Sequence, residues 1–375
     1  MRIFFTLSII IFNTLILLLI SDFIFSNFII KGSEQNQKQV RVFNEFYHHD
    51  FKPNINQKLS WGGNFYDICT NQNAFLVSCK NTSKENSTNT YDILFIGDSI
   101  TEGLGYSYDQ TFVGIFEKTT QKKISNLAVL SYSPFLYYQK IKYILSKGIK
   151  FNHLVVLIDI SDLQDDLNYF NIEAKFSYNK IPQKLFEKEE IKKDNFTDFL
   201  NRTDWNLRNM LARNFLISYN LYTKFKKYYF NNLAADKDLY FNNISWMDYD
   251  NKRVNWSYDN NFPGFTKNGI DSEIDFTVFN MQNLWELLKK NSIDLSIAVY
   301  PLPQSLYYKT NNSKYVSTWE NFCIDKCKNF INLFDIFEEE TNYFNTYNKY
   351  YIFNDVHFNK FSHQIVGNYL SKVLN

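Results

Sequence analysis

Neither sign of charge dominates this chain: 40 basic side chains face 39 acidic ones, for a formal charge of +1. That balance leaves no electrostatic footprint for nucleic acid and no polybasic surface to hold anionic lipid. Partners must therefore be argued from sites. A phosphate-binding loop and a dinucleotide fingerprint are both missing, so no cofactor is implied. No internal repeat is visible. Cysteine is scarce, at 4 residues. There is no Cys-x-x-Cys and no histidine beside either cysteine pair, which speaks against a zinc site and leaves no metal implied. Also absent is a small-x-small cleavage site after the first apolar segment.

What is present starts with size. The 375 residues suffice for one large domain or two modest ones, and 45% hydrophobic residues can fill a substantial core. The aromatic share of 19% (37 Phe, 27 Tyr) accompanies abundant Asn, Lys and Ile. This bias makes Asn-x-Ser/Thr triplets such as Asn81-Thr82-Ser83 cheap. Residues 3–20 are nearly all apolar, and a second apolar stretch runs from Phe23 to Ile30. A segment of this length can cross a bilayer as a helix, so residues 1–30 read as an uncleaved signal anchor. Its direction follows from the cysteines. Three pairings are possible, the most local being Cys69–Cys79 with Cys323–Cys327; free thiols are the alternative. An even count outside zinc spacing suits an oxidising compartment, which puts the rest of the chain in the periplasm or at the cell exterior.

Residues 31–60 are polar and mixed and read as a tether. Residues 61–90 hold the first cysteine pair and an Asn/Ser/Thr-rich loop, so 31–90 forms a tether and cysteine-containing region. From residue 91 to 375 the pattern is that of one α/β domain. Ile93–Ile96, Ile124–Val129, Leu154–Ile158, Leu295–Tyr300 and Phe330–Phe337 are expected strands. Helices are expected after an Asp109 cap, with Phe112, Ile115 and Phe116 on one face, and from Pro134 to about Leu145. A last helix should start near Asn359 and carry Phe361, Ile365, Tyr369 and Val373 at helical spacing. Alternation of strand and helix predicts a parallel sheet covered on both faces. A largely helical insertion at about 163–270 interrupts it. There Leu207, Leu211, Phe215, Tyr222, Phe225 and Tyr229 recur at helical spacing from a cap near Asp204. That pattern suits an amphipathic helix packed on the sheet domain, or a lid or glycan platform.

Chemistry concentrates in Gly97-Asp98-Ser99-Ile100-Thr101-Glu102-Gly103, directly after the first strand of the domain. A serine at the carboxyl end of a parallel strand, opening towards a helix, is placed to attack an ester, and nearby backbone N–H groups can stabilise an oxyanion. Gly97 allows close backbone approach, and Asp98 can bind loop amides. Near the end of the chain, Asn354-Asp355-Val356-His357-Phe358-Asn359 precedes the final helix. A neutral imidazole at His357 could take the Ser99 proton while Asp355 holds its tautomer.

Together these two segments resemble the SGNH (GDSL-type) hydrolase superfamily. The resemblance implies a three-layer α/β/α sandwich with a flavodoxin-like parallel sheet and a triad of Ser99, His357 and Asp355. In the superfamily's second block an asparagine precedes an oxyanion glycine; here Asn126 matches, but Ser131 stands where glycine is expected. Its third block carries an Asn-Asp pair; here the sequence is Asp159-Ile160-Ser161-Asp162. The implied oxyanion hole then consists of the Ser99 and Ser131 backbone and Ser161, whose hydroxyl could donate where an ionised Asp162 could not. The Asp-x-His spacing looks like that of SGNH-type polysaccharide O-acetyltransferases. His48-His49-Asp50, Asp165-Asp166 and Glu338-Glu339-Glu340 read as solvated surface, His153 as the start of a strand, and His363 as a solvent-facing position on the last helix. The expected function is a membrane-anchored ester hydrolase acting on an acylated envelope or exported glycan, or on another small ester. An O-acetyltransferase and a non-catalytic glycan-binding protein are the alternatives.

Overall fold

The computed structural model describes residues 2–30, 39–80, 89–173, 207–232, 253–309 and 312–375. Helix α1 (Arg2–Ile24) continues into a π-helical turn, Phe25–Ile29. The segment Phe4–Ile29 is long and apolar enough to cross a membrane; its most apolar window has a mean hydropathy of 2.4, with none of it covered by protein.

Two antiparallel hairpins follow. Strands β1 (Arg41–Asn44) and β2 (His48–Phe51) form the first; β3 (Asn56–Trp61) and β4 (Asn64–Cys69) form the second. Trp61 pairs with Asn64 across Gly62-Gly63, whose φ angles of 56° and 82° are those of a two-residue hairpin turn that glycine adopts without strain. These hairpins correct the tether expectation. Val40, Phe51, Leu59, Phe75 and Val77 are buried in the domain core. The Leu76 N–H donates to the Asn126 carbonyl at 2.9 Å, so this segment also covers the edge of the main sheet. The loop at 81–88 and the Asp204 cap lie outside the described residues.

The main sheet is built from β5 (Thr90–Ile96), β6 (Ile124–Asn126), β7 (Lys150–Ile158), β8 (Asp294–Val299) and β9 (Asn329–Asn332). Its strands are all parallel, in the order β6-β5-β7-β8-β9. That is the 2-1-3-4-5 order of flavodoxin-like folds, whose ligands bind outside the carboxyl ends of the strands. Residues Leu154 to Ile158 of β7 are all buried, as expected for a strand covered on both faces.

Helices lie on both sides of this sheet. After the short α2 (Ser99–Glu102), α3 (Phe112–Thr120) packs with the last helix; α4 (Pro134–Ser146) and α5 (Asp162–Glu173) pack with each other and with the long helix Ile270–Lys290. Within the insertion, after α5, lies α6 (Leu216–Asn232), preceded by a helical stretch at 207–214. Then come α7 (Ile270–Lys290), α8 (Lys314–Cys323), α9 (Tyr343–Tyr350) and α10 (Lys360–Val373). Disulfides join Cys69 to Cys79 and Cys323 to Cys327.

Several local expectations change. Thr111, not Asp109, caps α3 by accepting from Gly114 N. Strand β6 stops at Asn126, and β9 gives way to a 3-10 turn at Leu333–Ile336. In α10 the buried face is His363, Val366, Gly367 and Leu370, while Phe361 and Val373 are exposed. Leu207, Phe225 and Tyr229 of the insertion are likewise exposed; Leu216 and Tyr219 do the packing there.

Candidate active site

Strand β5 ends at Ile96, in register with Val156 of β7, so Gly97 lies against the next residue of that neighbour. A Cβ on Gly97 would come within 2.7 Å of the Leu157 carbonyl oxygen and closer still to the Thr101 side chain. Only glycine lets the chain turn here at this strand spacing. Asp98 then caps α2, accepting from Ile100 N at 3.0 Å, and Ser99 opens the helix. The Asn126 side chain donates to the Thr101 carbonyl at 2.6 Å and accepts from Ala128 N, tying α2 to the loop after β6.

From the other end of the chain, Tyr347 OH reaches the Ile352 and Asp355 carbonyls and takes the Asp355 N–H, folding 352–357 into a tight loop. Within it the Asp355 carboxylate receives both the backbone N–H and Nδ1 of His357. His357 Nε2 lies 2.9 Å from Ser99 Oγ. All three groups are almost fully shielded: Ser99 is 7% exposed and His357 6%. Trp61 packs on the imidazole nearly perpendicular to it, with centroids 5.4 Å apart. Burial alone would lower the His357 pKa, but the Asp355 charge and hydrogen bond outweigh it and lift the imidazole above its ordinary 6.5. Burial would raise Asp355, yet its contacts with His357 hold it below the usual carboxylate range. The arrangement can move a proton from Ser99 to His357 and stabilise the resulting cation.

Behind Ser99 the Asp98, Asp159 and Asp162 carboxyls are buried, with ligand-type oxygens within 4.8 Å of one another. Such a trio has the composition of a cation site, but donors already occupy it. Tyr300 OH lies 3.1 Å from Asp98 and 2.8 Å from Asp159. Asp162 accepts from Tyr137 OH and from Asp159 N, and Ser161 N–H donates to Asp159. A hydroxyl has one proton, so Tyr300 can bond both carboxyls only if one of them is protonated. Burial, then the Asp159 charge, pushes Asp98 up to about 7, and burial raises Asp162 well above its ordinary value. The burial that raises Asp162 disfavours the ionised form assumed from sequence. Ser99 Oγ also lies 3.2 Å from Asp98, so neutralising Asp98 leaves the imidazole as the stronger acceptor for the serine proton.

Ser131 holds a left-handed backbone, φ 62°, in the loop where the resembled superfamily has glycine. The peptide before it is clamped. Leu130 N–H donates to Glu102 at 2.7 Å, Arg41 pairs with that same carboxylate, and His49 Nε2 meets the Leu130 carbonyl at 2.8 Å. Deeper still, Lys140 reaches Asp50 at 2.8 Å, the Leu127 carbonyl at 3.0 Å and Tyr132 OH at 3.3 Å. Asp50 is thus a buried brace and His49 a half-buried one, and neither is a solvated residue. Burial pushes His49 down to about 3, keeping it neutral.

Other expected surface groups also move inward. Asp166 is buried, accepting from Phe135 N and Asn280, and Asp165 pairs with Arg253. His153, expected at the start of a strand, sits inside β7 against Ser296, and His363, expected to face solvent, is buried where it accepts from Phe112 N. Glu338, Glu339 and Glu340 do face solvent. Of the groups not anticipated, Tyr300 had a signal: a polar-tipped aromatic just beyond an apolar strand. Arg41, His49 and Lys140 had none.

No family model and no curated protein matches the chain. Among solved structures, similarity extends to a G-D-S-L family protein described as lipolytic from Desulfitobacterium hafniense, at 10% identity and TM-score 0.35, covering 76% of this chain and 99% of that one. A GDSL-like lipase from Bacteroides thetaiotaomicron gives 11% and 0.34, covering 76% and 87%. The psychrotrophic esterase EstA from Pseudoalteromonas, inhibited by monoethylphosphonate, gives 8% and 0.33, covering 76% and 97%. At these scores the likeness carries no argument about chemistry, which rests on the geometry above.

Proposed function

We propose that the chain is a membrane-anchored serine ester hydrolase of the SGNH type, with residues 91–375 as its catalytic domain. One observation carries this reading: Ser99 Oγ, both ring nitrogens of His357 and the Asp355 carboxylate form a continuous buried relay. Ser99 Oγ attacks the acyl carbon as its proton passes to His357 Nε2. The oxyanion is held by backbone N–H groups of Ser99 and Ser131, with the Ser161 hydroxyl beside them. Collapse breaks the ester bond, and His357 returns the proton to the departing alkoxide oxygen. Water then adds to the acyl-enzyme with His357 as base, releasing the carboxylic acid and restoring Ser99. Asp98, Gly97 and Asp162 shape and neutralise the floor beneath the nucleophile.

Two disulfides support placing this domain outside the cytoplasm, with α1 as the anchor. The substrate is an acyl, in particular acetyl, ester of an envelope or exported glycan. A second reading, transfer of the acetyl group to a sugar hydroxyl, is favoured by the Asp-x-His spacing of Asp355 and His357. Incubating the full-length protein with acetylated glycan, with and without an acceptor sugar, separates the two. Hydrolysis gives free acetate regardless of acceptor; transfer gives acetylated acceptor at the expense of free acetate. Glycan binding with neither product would contradict both and leave a non-catalytic binding protein.

A further inference from the structure

We infer that α6 lies in the bilayer interface, its outer stripe of large apolar side chains seated among lipid headgroups and upper acyl chains. Leu221, Phe225 and Tyr228 follow one another at the spacing of a single helix face. They are exposed, Leu221 at 64% and Phe225 at 69%. A continuous stripe of this kind on a water-facing helix is unusual and marks a contact surface. The adjoining face is occupied: Leu216 and Tyr219 are buried, and Ile217, Asn220, Thr223, Lys224 and Lys227 line a cavity of about 610 Å³ shared with Ile352 of the His357 loop.

What covers the stripe follows from where α6 begins. Its first N–H groups are capped by the end of the membrane helix itself. Leu216 N donates to Ser26 Oγ at 2.7 Å, Ile217 N to Asp22 at 3.0 Å and Ser218 N to Asp22 at 2.7 Å. Phe23 packs on Phe215, and Phe25 on Phe65 of the β3–β4 hairpin. As a helix, Phe4 to Asp22 spans about 27 Å, close to the roughly 30 Å of a hydrocarbon core. A carboxylate is costly deep in that core, so Asp22 sits at its edge, and α6 starts at headgroup depth. Charge agrees: α6 carries Lys224, Lys226 and Lys227 and no acidic residue, which suits an interface containing anionic lipid. Seated this way, α6 holds the cavity it shares with Tyr351, Ile352 and Phe353 next to the membrane surface.

The inference rests on α1 spanning the bilayer, not on the ester chemistry. The test uses full-length protein in vesicles of phosphatidylcholine and phosphatidylglycerol whose lipids are brominated high on the acyl chains. Leu221→Trp and Phe225→Trp place probes on the stripe, Leu17→Trp marks the span, and Phe279→Trp on α7 marks an exposed position elsewhere. Emission added over the parent, with its 6 native tryptophans, is followed. The stripe probes should lose most of that emission to brominated lipid and little to aqueous acrylamide, while Phe279→Trp does the reverse. Quenching of the stripe by acrylamide overturns the inference, as does quenching by neither agent, which would mean that a second copy covers it. If Leu17→Trp also escapes bromine, the spanning reading itself has failed. Unaltered thermal melting identifies variants that have kept the fold.

Discussion

The relay of Ser99, His357 and Asp355 and the brace of Arg41, His49, Asp50 and Lys140 meet at one sheet edge, yet they arise from different ranges of sequence. The relay is assembled from two short loops, each folded by contacts only a few residues apart: Asp98 to Ile100, Asp355 to His357. The brace joins residues far apart in the chain, through Arg41–Glu102, His49–Leu130 and Asp50–Lys140. Local geometry places the proposed reacting groups, and long-range packing fixes the loop proposed to stabilise developing charge. The two should therefore fail differently.

The largest effect belongs to the relay. His357→Ala removes the only base within reach of Ser99 among the described residues other than Asp98, and turnover of a small activated ester should fall on the order of 10⁶-fold. Melting should change little, and steady-state hydrolysis of p-nitrophenyl acetate checks this. Asp355→Asn should cost less, about 10⁴-fold in kcat, and it carries a pH signature. A protonated His357 cannot accept the serine proton, so activity is lost as pH falls through the folded-state pKa of His357. Asp355 lifts that value above 6.5, and without its charge the burial that remains lowers it. The acid limb of the kcat/KM profile should thus move to lower pH in the variant; an unmoved limb would mean that Asp355 does not set the imidazole's charge.

Breaking the brace should act on stability first. Lys140→Met strands the Asp50 carboxylate in the core and should cost about 3–5 kcal/mol in urea unfolding. The kcat loss should be far smaller than for either relay variant. A change within 0.5 kcal/mol, the usual range for surface substitutions, would remove the brace from the account. The smallest effect is expected at Ser131. A non-glycine residue in the left-handed region is strained by about 1 kcal/mol, so Ser131→Gly should keep or raise both turnover and melting temperature. A marked loss of turnover would show that the Ser131 side chain, not its backbone, serves the site.

This contrast also explains what the sequence revealed. Leu154–Ile158 and Ile93–Ile96 announced themselves because strands buried on both faces are continuous apolar runs. Ser99 and His357 were legible because each sits in a short pattern at the edge of such a run. The limits of apolar runs were not: Phe330–Phe337 contains a strand and then a 3-10 turn, and hydrophobicity is the same in both. On α10 the aromatic spacing pointed to the wrong face, because Gly367 and His363 pack closely against α3, where a bulkier side chain would clash. The hairpins of residues 41–69 looked like a tether because their burial depends on partners some 60–90 residues away. Composition cannot show that His49 meets a carbonyl or that Asp50 meets a lysine.

The central claim is that Ser99 is a nucleophile activated by His357, and covalent labelling tests it most directly. A fluorophosphonate should modify the full-length protein at a single site, mapped to Ser99 by peptide mass spectrometry. Ser99→Ala should lose the adduct together with ester turnover, and His357→Ala should slow labelling as steeply as it slows turnover. No adduct on a folded protein, or a Ser99→Ala variant that hydrolyses esters at the parent rate, would contradict the assignment.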